Sequence, residues 1–327
     1  MRRALPALLV RRTRRRRIGL AGGTVLAAVA VLATVLLAPD RGGTITRIPA
    51  DAPSSPSPSA VPSVAPDVTR SHVPGWLPAG FRERQRAVVS TSAGIKAVRT
   101  WAKAPLGAGG SRLDSVPYIR LVTLPTRTWE DGTRVDVGGA AGWYVGPTKG
   151  NPGASLGWLE GPDRTVVIET NSVTSQADLL RVAVSTRPDP TPLPQPLLIG
   201  WTPFQPREYT YSYGGDSPTE WDATVAADDP SDVAASLTVM LAPSTDVPEG
   251  GTAVQVGGLT GRLVVEESPA HRNPRQCVVL PQPNSPRLLT VCSAIAGPGG
   301  ARMPEDQLLR AAGSVDTTIR AKTDWLG

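Results

Sequence analysis

Val135-Asp-Val-Gly-Gly-Ala-Ala-Gly-Trp-Tyr-Val145 returns 119 residues later as Val254-Gln-Val-Gly-Gly-Leu-Thr-Gly-Arg-Leu-Val264. In both places two valines flank a polar residue and lead into Gly-Gly, the pattern of a short strand, a tight turn and a second strand. Working outward, three more stretches recur in the same order. Gly75-Trp76-Leu77-Pro78 answers Gly200-Trp201-Thr202-Pro203, Ile119–Pro125 answers Leu237–Pro243, and Leu179–Ser185 answers Leu308–Ser314, at offsets of 125, 118 and 129. Ordered matches at nearly constant offset describe a duplication. The unit is about 115 residues, far longer than a solenoid repeat. The sequence therefore reads as two β-rich repeats, 73–187 and 197–318, around a Pro-rich joint at 188–196 and before a tail at 319–327.

Each repeat reads as mostly antiparallel strand. Arg86–Ser90 and Ile95–Trp101 flank a Gly turn, and Tyr209-Thr-Tyr-Ser-Tyr213 alternates as a half-buried strand does. Tyr118–Leu124 and Leu237–Leu241 come next, and Trp158 with Val166–Ile168 forms a last hairpin. A helix follows in both. Ser175-Gln-Ala-Asp178 has the form of a capping box, and Pro304 falls in the first turn of its counterpart, before Glu305 and Asp306. The expected class is α+β, with about six strands and one C-terminal helix per repeat, the helix covering one sheet face.

The N-terminal region is of another kind. Residues 1–17 hold eight arginines and no acid. Without them, 26 basic residues face 28 acids, so the net charge of +6 belongs to a tail rather than to a basic fold. That argues against a nucleic-acid-binding domain. Ile18–Leu37 carries no charge and no proline. As a helix it spans roughly 30 Å, the thickness of a bilayer's hydrocarbon core. The arginines place its N-terminus in the cytoplasm and the rest outside. A cleaved signal peptide is the alternative, but its apolar run would be shorter, about 7–15 residues. Residues 38–72, rich in Pro, Ser and Ala, read as an extended linker.

Little material remains for catalysis. Gly153-Ala-Ser155-Leu-Gly157 fits a nucleophile elbow, which needs a strand before it, a helix after it, and a later acid and histidine. His271 is the only later histidine. Cys277 and Cys292 are the only cysteines. With His271 they give three loosely spaced metal ligands, one short of a structural zinc site. In an oxidising compartment a disulfide is the better reading. A hairpin centred between Asn284 and Ser285 sets the two cysteines directly opposite, with Trp158 and Glu169 near these places in the first repeat. Trp76, Trp201 and Trp143 are candidates to line a ligand cleft. The competing reading puts them in the core with Trp101, Trp158 and Trp221.

The order Trp-x-Pro, Gly-Gly turn, hairpin and Leu-Leu-Arg helix closing on Ser resembles an extracytoplasmic domain found beyond the membrane helix of bacterial anti-sigma-factor-like proteins. It is more distantly similar to the lipoprotein-carrier-like sheets of periplasmic sigma-pathway regulators. The resemblance implies no catalytic residue and no cofactor, and 17 residues are few for a sigma-binding domain. The expected function is a non-enzymatic extracytoplasmic binding or sensing module on a single-pass anchor. Its expected partners are the membrane and an envelope protein, lipid or wall component. The alternatives are a serine hydrolase using Ser155 and a structural envelope component.

Overall fold

The computed structural model describes residues 71–326, apart from 105, 107–114, 126–131, 150, 173, 230, 233–234, 245–246, 267–273, 284, 295–301 and 319–322. The basic tail, the span Ile18–Leu37, nearly all of the linker and His271 lie outside the described residues. Among the described residues no helix is long and apolar enough to cross a membrane.

Ten elements make the first unit: β1 (Ser71–Pro74), β2 (Arg82–Thr91), β3 (Gly94–Ala102), β4 (Tyr118–Leu124), β5 (Thr133–Val137), β6 (Ala140–Val145), β7 (Ala154–Leu159), β8 (Thr165–Thr170), α1 (Gln176–Ser185) and β9 (Thr186–Asp189). Ten more make the second: β10 (Leu198–Ile199), β11 (Glu208–Gly215), β12 (Trp221–Asp228), β13 (Ser236–Pro243), β14 (Thr252–Val256), β15 (Leu259–Glu266), β16 (Arg275–Pro281), β17 (Arg287–Ala294), α2 (Glu305–Gly313) and β18 (Val315–Asp316). β1 takes in Ser71 and His72, which composition assigns to the linker.

One antiparallel sheet of fourteen strands runs β14-β15-β16-β17-β13-β12-β11-β2-β3-β4-β8-β7-β6-β5. Read outward from the junction of β2 and β11, the strands follow the same order on both sides. Seven strands per side replace the expected six or so. A short antiparallel pair accompanies each side, β1 with β9 and β10 with β18. The sequence gives no hint of the junction itself, where Tyr209–Gly214 pairs with Gln85–Ser90 and makes the sheet continuous.

The quoted Gly-Gly stretch forms a two-residue hairpin in both units. Gly138 and Gly139 have φ of 60° and 90°, and Gly257 and Gly258 have 55° and 83°. Two successive left-handed residues match the twist of the flanking strands, and glycine adopts them without steric cost. Helix α1 starts as its capping box predicts: the Asp178 N–H donates to Ser175 Oγ at 3.0 Å. In α2, Pro304 is the cap residue rather than part of the first turn, and no side chain caps the helix.

Both helices lie on one face of the sheet. A single cross-strand row on that face shows its character: Leu156–Ile168–Leu121–Arg99–Arg86–Tyr213–Ala223–Leu241–Leu289–Leu280. All ten are buried, and the apolar run is broken only at the junction, by Arg86 and Arg99. Glu83 receives both guanidinium groups. Arg99 donates to its two oxygens at 2.6 and 2.8 Å, and Arg86 at 2.9 and 3.0 Å. Arg99 also pairs with Asp189. Two arginines and two carboxylates cancel in charge, which is what allows them in a core position. The ring of Trp325 covers Arg86, with the guanidinium carbon 4.3 Å from its centroid.

Candidate functional site

The two tryptophans that open the units are fastened to the ends of the helices. Gly75 N–H donates to Ser185 O at 2.9 Å, and Trp76 N–H to Ser185 Oγ at 2.9 Å. Gly200 and Trp201 make the same bonds to Ser314, at 3.1 and 3.0 Å. A β-carbon on either glycine would lie 2.9 or 2.8 Å from the serine carbonyl oxygen, so the backbone approach excludes a side chain. Arg181 stacks on Trp76 at 4.0 Å and Arg310 on Trp201 at 4.4 Å. Trp76 and Trp201 are thus half-buried parts of a clasp, and each packs against the core of its own unit. Trp143 lies in register with Gly157, whereas its neighbour Tyr144 lies in register with the core residue Leu156. By strand alternation its side chain stands on the opposite face. The structure does not bring the three together. Trp101, Trp158 and Trp221 are buried, as the core reading expects.

Cys277 and Cys292 form a disulfide across β16 and β17, directly opposed in register, with α-carbons 4.1 Å apart. Both thiols are thereby committed and neither remains as a metal ligand. The corresponding places in the first unit follow from the rows. Val239, Val291 and Val278 stand in line, as do Leu121, Ile168 and Leu156. One residue along, Cys292 and Cys277 answer to Glu169 and Ser155. The expectation of Trp158 at this place is corrected, because Trp158 opposes Val166. Ser155 is therefore the second residue of a strand that continues to Leu159, flanked by Val145 and Glu169. The sharp strand-to-helix turn of a nucleophile elbow is not formed there.

A different place has the makings of a site. Beside the outer strand β14, the helix-covered face is open enough to leave a cavity of about 480 Å³. Gly251, Thr252, Leu263, Val265 and Gln276 make its floor, and Arg302–Glu305, leading into α2, make its roof. The volume falls within the range of small-molecule and side-chain pockets, roughly 300–1,000 Å³. Leu263 and Met303 give it apolar walls, Arg302 and Glu305 bring one charge of each sign, and Val265 is 53 % exposed beside it.

Gln276 is the unusual member. It is 4 % exposed, and its Oε1 accepts no hydrogen bond. Directly opposite on β17, the buried Ser293 Oγ also lacks a partner. Leaving a buried polar group unpaired costs about 1–3 kcal/mol. The fold does not require that cost. Two residues along from the core row, the first unit has Ala154 opposite Thr170 in these positions. Ala154 has no polar atom to satisfy, and Thr170 Oγ1 is in hydrogen-bond contact with Ser172 and Thr174 at 3.3 Å. Sequence reading misses Gln276 because a polar residue in a strand usually faces solvent. The available signal was the difference between the repeats at matched positions.

No family model matches the chain, and no curated protein matches it. Among solved structures it is similar to the crystal structure of MucB in complex with MucA(peri) at 12 % identity. That alignment covers 76 % of this chain and 94 % of the other, with a TM-score of 0.21, too low for a shared fold to be read from it.

Proposed function

We propose that the chain is a non-enzymatic envelope protein: a single-pass anchor at Ile18–Leu37 carrying a duplicated pair of units outside the cell, with its ligand site in the second unit beneath α2. The observation that carries the binding role is Gln276, a buried acceptor without a partner on the floor of a cavity, at a position where the other unit has alanine. The duplication is supported by the common strand order and by the matched clasps at Ser185 and Ser314. The outward placement is supported by the arginines before the span and by the disulfide, which suits an oxidising compartment. No catalytic role is assigned to Ser155.

Two measurements test this reading. Protease added to intact cells should degrade the units and spare an epitope placed before Ile18. Protection of the whole chain would refute the outward topology. A photo-crosslinking amino acid at Val265, beside the cavity, should capture a discrete adduct in living cells. The same group at Val184, which is 59 % exposed in the first unit, should not. Equal labelling at both sites, or none at Val265, would refute a ligand site beneath α2.

A further inference from the structure

The two outer strands of the sheet occupy matched places, yet they differ in charge. β5 reads Thr-Arg-Val-Asp-Val and β14 reads Thr-Ala-Val-Gln-Val. Among the described residues β5 pairs only with β6 and β14 only with β15, so each presents a row of backbone donors and acceptors on its outer side. Folded proteins commonly guard such a row with charged side chains, because an unguarded edge recruits another strand. Arg134 and Asp136 supply that guard on β5. At the matched positions of β14 stand Ala253 and Gln255, and the guard is absent. The cavity with the unpaired Gln276 lies beside this uncharged edge, and Gly251 and Thr252 belong to both.

We infer that β14 is a docking edge for an extended polypeptide segment of a partner protein, which adds as a fifteenth strand and sets one amide- or hydroxyl-bearing side chain beneath α2 to donate to Gln276 Oε1. The inference rests on the proposed binding role and names the chemistry of the ligand. Strand addition supplies sequence-independent affinity through main-chain hydrogen bonds, and the pocket supplies selectivity through alternate side chains. The alternation fits. Residues of an added strand that stand level with Thr252 and Val254 on the helix-covered face fall under the roof formed by Arg302–Glu305. An N–H or O–H group there meets an acceptor that is otherwise unsatisfied, while Leu263 and Met303 accommodate the apolar stem.

The test uses the full chain, solubilised in detergent, and a displayed library of random 12-residue peptides. Selected peptides, made synthetically, should bind the parent chain and lose at least ten-fold in affinity against Ala253→Arg/Gln255→Asp, a pair that gives β14 the charges its counterpart β5 already carries. They should contain one Ser, Thr, Asn or Gln whose replacement by an apolar residue weakens binding about ten-fold in the parent chain and not at all in Gln276→Ala. Four results would overturn the inference: no enrichment, enriched peptides indifferent to the charged edge, enriched peptides indifferent to Gln276, or a self-association of the chain in sedimentation that the charged edge abolishes. The photo-adduct at Val265 separates this failure from that of the binding role. An adduct of lipid or glycan mass leaves a ligand site standing and removes the peptide, whereas no adduct removes both.

Discussion

At the scale of single residues, the groups that cost free energy say most. Gln276→Leu replaces an unpaired buried amide with an apolar group of similar size. It is expected to stabilise the free protein by about 1 kcal/mol, and urea unfolding checks this. A loss of stability would mean that Gln276 has a structural partner. Glu83 has the opposite character. It receives two buried arginines, so Glu83→Gln leaves their charge facing Asp189 alone and should cost about 3–5 kcal/mol, measured the same way. Asp189 adds a pH dependence. Burial opposes its ionisation, but Thr191 and Arg99 outweigh burial and hold its carboxyl below the usual aspartate range. A depressed carboxyl pKa stabilises the fold above the unfolded-state value, and that stabilisation is lost as the pH falls through the folded-state value. The stability difference between the parent and Asp189→Asn should therefore be present near neutral pH and shrink on acidification below about pH 4, in urea titrations at several pH values. A difference that grows toward acid would show the sign to be wrong.

At the scale of elements, the hairpin β16–β17 and the two clasps make separate predictions. Closing a loop of about 15 residues stabilises by roughly 3 kcal/mol in the chain-entropy model, so Cys277→Ser/Cys292→Ser should lose about that much relative to the unreduced parent. Ser185→Ala and Ser314→Ala each remove the acceptor of a tryptophan N–H and should each cost about 1 kcal/mol. Similar costs at the two sites would show the clasps to be equivalent; a large difference would show one of them to be incidental. Much at this scale was legible in the sequence. Tyr118–Leu124 is a strand with those very bounds, Ser175 caps α1, and the hairpin count places Cys277 opposite Cys292. These features follow from nearest-neighbour chemistry and alternation. The error at Trp158 arose because matching short patches does not count residues across a hairpin whose loop differs between the repeats.

At the scale of the molecule, the sequence is silent where partners are distant along the chain. Nothing local in Arg86-Ala-Val-Val-Ser90 marks β2 as the strand that joins the two halves, since an edge that pairs within the chain looks like any other edge. The joint was likewise read as a stiff spacer. In the structure it begins as a strand against β1, and its Leu193 is buried, with the carbonyl accepting from Tyr211 OH at 2.6 Å. A continuous sheet should unfold as one cooperative unit. A β-carbon on Gly214 would lie 2.3 Å from Arg84 O across the junction, so Gly214→Val should divide a single calorimetric transition into two. Two transitions in the parent would show that the halves melt independently.

The disulfide also has a mechanical meaning. A pull applied to β14 and resisted at the N-terminal tether is directed across the sheet, at right angles to the strands, where backbone hydrogen bonds open singly and peeling meets little resistance. Such a tear would start at β14, run through β15 and reach the ladder between β16 and β17. There the bond between Cys277 and Cys292 acts as a rivet, and the tear stops with three strands displaced and the rest of the sheet intact.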